Sequence, residues 1–240
     1  MCFSAMASFS AGTVLLGIGV LTLKSARRPR ELPFAAIPLL FAIQQLSEGV
    51  IWLTFQYEAP QLNTVMTHIY EFFSHVLWPM YVPVAVLLIE PKGWHRQALF
   101  AFVAAGVAVG GYLLYILLAF PVISRPTGQH IEYVSPHFYA GVVMTMYLLS
   151  TAISPMLSTY RMVKVFGYLA LLSFASVYYF YATWFISVWC FFAAFLSAVI
   201  DVHFVMQKAE HGGSCDPIET NGFNQTEVPI NPQPDQKGTA

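Results

Sequence analysis

The sequence predicts an all-α integral membrane protein, a bundle of about seven transmembrane helices with its N-terminus outside and its C-terminus cytoplasmic. Three observations carry this prediction. Apolar side chains make up 57% of the 240 residues and charged ones only 10%, against roughly 25% charged in an average soluble domain. Residues 99–120 and 165–200 contain no Asp, Glu, Lys or Arg, so the helices they form have no charged face to turn toward water. The basic residues are also lopsided once the apolar stretches are threaded alternately through a bilayer. Lys24, Arg27, Arg28, Arg30, Lys92, Arg96, Arg161, Lys164 and Lys208 fall on one side, while Arg125 lies in a loop on the other and Lys237 far out in the tail. Positive residues mark the cytoplasmic side, which sets the orientation and places the chain in the inner (plasma) membrane as a multi-pass protein.

A hydrocarbon core of about 30 Å takes about 20 residues of helix. Seven stretches qualify: 8–23, 33–55, 65–89, 98–120, 137–157, 163–181 and 184–206. The opening MCFSAMASFSAG has neither a basic leader region nor a cleavage site followed by polar sequence, so it reads as the start of the first span. Gly12, Gly17 and Gly19 in the first span, and Gly106, Gly110 and Gly111 in the fourth, let helices approach closely where packing replaces the hydrophobic effect. Between the fourth and fifth spans, residues 121–136 are rich in Pro, Gly and polar residues and are expected to form a loop folding over one end of the bundle. The run 165–206 is nearly continuous and divides best near residues 181–183. Residues 1–206 thus form a transmembrane domain, and 207–240 have too little apolar area to offset the entropy of ordering them, which predicts a flexible cytoplasmic tail. Trp52, Tyr57, Tyr133, Tyr178, Tyr179, Tyr181 and Trp184 fall near outer span ends, as an aromatic belt would.

A net charge of −1 with no long basic run excludes a nucleic-acid groove. Cys2, Cys190 and Cys215 are too few and too scattered for a disulfide framework. If initiator Met were removed, Cys2 would offer a thiolate and an amine near the outer face.

Ionisable groups inside a span are expensive unless paired or hydrated, so each is a functional candidate. Glu48 lies in the second span, His68, Glu71 and His75 in the third, and His137 opens the fifth. At about 100° per residue, His68 and His75 lie about 20° apart around an ideal helix, with Glu71 close to both. Opposite chain directions bring Glu48 to a comparable depth, with Gln44 one turn away. If the second, third and fifth helices are neighbours, these imidazoles and carboxylates surround one outward-opening cavity. His68, Glu71, His75 and His137 are the expected metal ligands, and Glu48 and Glu71 the expected catalytic carboxylates. Such a set suits zinc, manganese or iron. Glu71 also fits the role of orienting a neighbouring His. Pro79 and Pro83 predict a kink beside the stripe, with the carbonyl of His75 losing its amide partner. Toward the cytoplasmic end, Asp201 is expected to pair with Arg161 or Lys164.

The opening MCFSAMASFSAG and the blocks 24–52 and 68–91, KSARRPRELPFAAIPLLFAIQQLSEGVIW and HIYEFFSHVLWPMYVPVAVLLIEP, resemble a widespread, largely uncharacterised bacterial family of multi-pass membrane proteins beginning MCFSAxASF. The resemblance covers about residues 1–206 and implies the architecture without an activity. Seven spans with intramembrane His also resemble the alkaline ceramidase and adiponectin receptor superfamily of zinc hydrolases. Its members pair Ser and His in the second span and carry HxxxH in the seventh. Here Ser47 precedes Glu48 with no His one turn on, and the last span has Asp201-Val-His203.

The leading expectation is therefore a metal-dependent membrane enzyme, a hydrolase of a lipid or small apolar substrate, with a His/Glu site in the outer half of the bundle and a divalent ion, zinc foremost, activating water. The alternatives are a proton-coupled transporter or channel using the same residues, or a metal- or haem-binding membrane protein without catalysis. Its partners would be the lipid bilayer and a lipid or small-molecule substrate, with room for a homo-oligomer.

Overall fold

The computed structural model describes residues 4–128, 130–136, 139–180, 192, 196, 197, 199–202 and 204–206. Six helices carry the fold: α1 (Ala5–Ser25), α2 (Pro29–Gln56), α3 (Pro60–Ile89), α4 (Trp94–Ala119), α5 (Ala140–Met156) and α6 (Arg161–Phe180). Among the described residues, α1 to α4 are long and apolar enough to cross a membrane, and α5 is apolar but shorter. The first four expected spans coincide with α1 to α4 to within a few residues, and α5 and α6 fall on the fifth and sixth stretches without belonging to those four. Most of the seventh stretch, the tail from 207, His137, His203, Cys2, Cys190 and Cys215 lie outside the described residues.

Local chemistry sets the helix ends. Ser4 caps α1 by accepting from the amide of Ala7. Glu31 accepts from the amides of Arg27 and Arg28, at 2.9 and 3.2 Å, and so closes the turn into α2. Pro60 stands at the first turn of α3, where its missing N–H is harmless. At the other end of α3, buried Glu90 accepts from the Ser158 hydroxyl and from both the amide and the hydroxyl of Thr159. A carboxylate is thereby fixed just before α6, where a helix N-terminus favours negative charge.

Glycine lets the helices close on one another. A Cβ on Gly19 would stand 2.7 Å from the backbone nitrogen of Leu39, and one on Gly12 would lie 2.8 Å from the Leu46 side chain, so α1 and α2 pack backbone to backbone. α4 meets α3 in the same way, since a Cβ on Gly106 would fall 1.9 Å from the Pro79 carbonyl oxygen. Gly17 and Gly111 face open space, so the expected close packing holds for Gly12, Gly19, Gly106 and Gly110 only.

The core between the helices is built on Leu15, Phe34, Phe41, Trp78, Val86 and Leu99. The indole of Trp78 is stacked on Phe41, with ring centroids 3.8 Å apart. The stretch expected as a loop is instead an antiparallel hairpin, β1 (Ile123–Thr127) paired with β2 (His130–Val134) in the register Arg125↔Glu132. Gly128 turns it at φ +63°, and Pro126 is tolerated because both strands of a two-stranded ribbon are edges. The hairpin is anchored on α3: Tyr133 stacks on Tyr70 at 4.6 Å, and Thr67 donates to Ser124. Tyr133 is therefore buried in a small cluster with Ile51, Tyr70 and Ile131 rather than placed in an aromatic belt. Near the other end, Thr22 of α1 donates to Asp201 at 3.0 Å. Asp201 thus takes the Thr22 hydroxyl, whereas Arg161 or Lys164 was the expected partner.

Candidate functional site

Proline shapes the centre of α3. A proline ring crowds the carbonyl four residues earlier and offers no amide, and widening the preceding turn to a π turn relieves both problems. Phe72–Leu77 is such a turn, in which the Trp78 amide reaches back to the Phe73 carbonyl. This passes over Ser74, and Pro79 has no N–H to serve it. The Ser74 carbonyl instead accepts from the buried hydroxyl of Tyr147, on α5.

The device occurs twice. In α5, Leu149–Ile153 is again a π turn, the Ser154 amide reaches back to Leu149, and Pro155 follows. The bypassed carbonyl is that of Ser150, which accepts from the Ser154 hydroxyl. Both turns carry the pattern Ser-x4-Pro, as Ser74–Pro79 and Ser150–Pro155. That repeat is visible in the sequence, and it is the signal by which Ser74 becomes legible as a site residue, whereas Tyr147 is found only through its contact with the Ser74 carbonyl.

Inside the first π turn, the Nδ1–H of His75 donates to Glu71 Oε2 at 2.8 Å. Ser74 Oγ lies 2.9 Å from the same nitrogen and gives its own proton to the Glu71 carbonyl at 3.2 Å. The Glu71 side chain is 2% exposed and that of His75 16%, so a carboxylate and an imidazole are paired in a largely dry setting where each would be expensive alone. Glu48 is fully buried on α2. Its depth follows from two bonds that tie α2 to α3, one on either side. Trp78 Nε1 donates to Gln44 Oε1 at 2.7 Å, and Asn63 Nδ2 donates to Thr54 Oγ1 at 2.8 Å. Between them, Glu48 is level with the turn that holds Glu71 and Ser74.

The structure thus brings Glu71 and His75 into contact and sets Glu48 at their depth. His68 is apart from them: its Nδ1 is bonded to the Thr64 carbonyl at 2.8 Å, one turn back toward the start of α3. Among the described residues no three His, Cys, Asp or Glu side chains gather closely enough to hold a metal ion, and His137 lies outside them. Above the pair, the hairpin is joined to the bundle by a chain of polar contacts, Thr67 to Ser124, Ser124 to Asn63 and Asn63 to Thr54. On the hairpin itself, burial holds the imidazole of His130 below its ordinary range.

Residues 1–213 match a family described as a family of unknown function (DUF6629). No curated protein and no solved structure matches the chain.

Proposed function

The chain belongs to that family of unknown function, and we propose that it is a proton-coupled transporter or channel whose working centre is the Glu71–His75 pair. The carrying observation is the 2.8 Å contact between a buried carboxylate and a partly buried imidazole within a helix of membrane-crossing length. Imidazolium–carboxylate and imidazole–carboxylic acid have the same total charge. A proton therefore passes between the two groups without changing the net charge held in the hydrocarbon, which keeps the desolvation penalty of the exchange small. Glu48, level with the pair, is the next proton acceptor along the bundle. The π turn supports this reading because such turns loosen a helix locally and recur at functional sites. About seven spans with the N-terminus outside, as the Lys and Arg distribution favours, place the pair toward the outer half of a plasma-membrane protein.

The alternative, a metal-dependent hydrolase of a lipid or small apolar substrate, has one observation in its favour. Glu71 engages Nδ1 of His75 and leaves Nε2 to coordinate, the arrangement of an outer carboxylate that orients a metal-bound His. Zinc there would draw its further ligands from Glu48 and His137.

The deciding experiment uses purified protein in liposomes loaded with a pH-sensitive dye. Under an imposed potential or pH gradient, wild type should shift the luminal pH, and Glu71→Gln and His75→Ala should each slow the shift at least tenfold with folding intact. Wild-type traces equal to those of empty liposomes would refute the proposal. Metal content measured on the same samples tests the alternative: stoichiometric zinc in wild type, lost in His75→Ala, would replace proton coupling with metal chemistry.

A further inference from the structure

Several buried polar atoms have no hydrogen-bond partner among the described residues. Gln45 is 0% exposed, and both its Oε1 and its Nε2 are unmatched. Gln44, equally buried, gives its oxygen to Trp78 but leaves Nε2 unmatched. Ser8 Oγ on α1 and Glu71 Oε1 on α3 are in the same condition. The Gln44–Trp78 bond ties this part of α2 to α3, whereas Ser8 lies farther along α1, beside Phe9, whose ring a Cβ on Gly49 would touch at 3.0 Å.

In a bundle surrounded by hydrocarbon, backbone and side-chain polar groups are paired almost without exception, because each unmatched one carries its full desolvation penalty. A glutamine with both ends open is therefore suited to a visitor rather than to the resting fold. We infer that Gln45, with Gln44, forms a binding site for a small uncharged solute that presents a donor and an acceptor side by side, as carboxamides and urea do. The edge of a primary amide matches such a group through two parallel hydrogen bonds, Nε2–H to its carbonyl and N–H back to Oε1. The second lone pair of that carbonyl can accept from Gln44 Nε2. An anion would meet the carboxyl groups of Glu48 and Glu71 in this part of the bundle, and a cation would face two amide N–H groups, so neutral solutes are selected. The inference rests on the proposed transport reading and names its substrate class.

The test is stopped-flow light scattering of proteoliposomes under an inward gradient of acetamide or urea, comparing wild type with Gln45→Leu. Removing an unmatched amide leaves the resting fold at least as stable, whereas a bound solute loses two hydrogen bonds. Gln45→Leu should therefore keep or raise the melting temperature in detergent while solute influx falls about tenfold. Gln45→Met makes the same comparison if the Leu variant does not fold. Acetamide influx equal to that of empty liposomes, or unchanged by both substitutions, overturns the inference. So does a loss confined to water permeability, which would assign the site to water. Luminal pH followed in the same vesicles separates the two proposals: amide influx that needs Gln45 without proton movement leaves this inference standing and removes proton coupling, and proton movement through Glu71 and His75 without Gln45-dependent influx does the reverse.

Discussion

Replacing Tyr147 with Phe removes one oxygen from the protein and leaves the ring packed where it is. The hydroxyl is the donor that serves the Ser74 carbonyl, which the Trp78 amide bypasses and which Pro79 has no N–H to reach. Both residues are buried. A buried carbonyl that loses its donor is destabilised by about 1–3 kcal/mol, and no water from the hydrocarbon can take the place of the hydroxyl. The predicted destabilisation of Tyr147→Phe is therefore about 2 kcal/mol, measured by denaturant unfolding in a fixed detergent. The explanation is specific enough to be tested by a double-mutant cycle. Pro79→Ala supplies an amide at the position that the π register needs, so Tyr147→Phe should lose at least half of its effect in that background, a coupling of about 1 kcal/mol. Equal effects in both backgrounds, or no effect of Tyr147→Phe alone, would refute the account of the π turn.

Three further outcomes follow from the geometry. Gly106→Ala forces a methyl onto the Pro79 carbonyl, 1.9 Å away, and should lower stability by about 1–3 kcal/mol in the same unfolding assay, while Gly111→Ala, which meets nothing within 4 Å, should be neutral or slightly stabilising. Glu90→Ala strands the Ser158 and Thr159 donors at the start of α6 and should lower stability by about 2–3 kcal/mol, with amide exchange rising first around residues 157–161. The hairpin should weaken in acid: burial depresses the folded pKa of His130 below its ordinary value of about 6.5, so the unfolded hairpin takes up more protons as pH falls through that region. Hairpin amide protection should be constant above about pH 7 and decline toward pH 5, and His130→Gln should abolish the slope.

Much of this fold is written in the apolar runs. The described helices follow the charge-free stretches because twenty apolar residues satisfy their own backbone only as a helix when water is absent. The hairpin was not legible, since its strands are short, include Pro126 and depend on tertiary contacts such as Tyr133 on Tyr70. At the site, helical spacing put Glu71 and His75 on one face, and the structure joins the two directly at 2.8 Å. The expectation that His68 joins them used 100° per residue throughout, whereas a π turn begins at Phe72 and His68 is engaged with its own backbone. The unmatched amide of Gln45 also escaped notice, because an amide among apolar residues carries no charge to draw attention and its lack of a partner exists only in three dimensions.

The π turn in α3 also makes the length of this segment a fixed quantity. One surplus residue offsets the two halves of the helix by about 100° relative to a continuous α-helix. The N-terminal half uses that offset to turn Thr67, Tyr70 and Glu71 inward, and the C-terminal half to turn Trp78, Val82 and Val86 inward. Deleting a single residue between 72 and 77 would restore regular hydrogen bonding and leave the composition almost unchanged. It would also swing one half out of phase, carrying either the Glu71 carboxyl group or the Trp78 indole toward lipid. Along this stretch of chain, a shortening by one residue is a graver change than most substitutions, and the number of residues separating Glu71 from Trp78 is as much a part of the site as their identities.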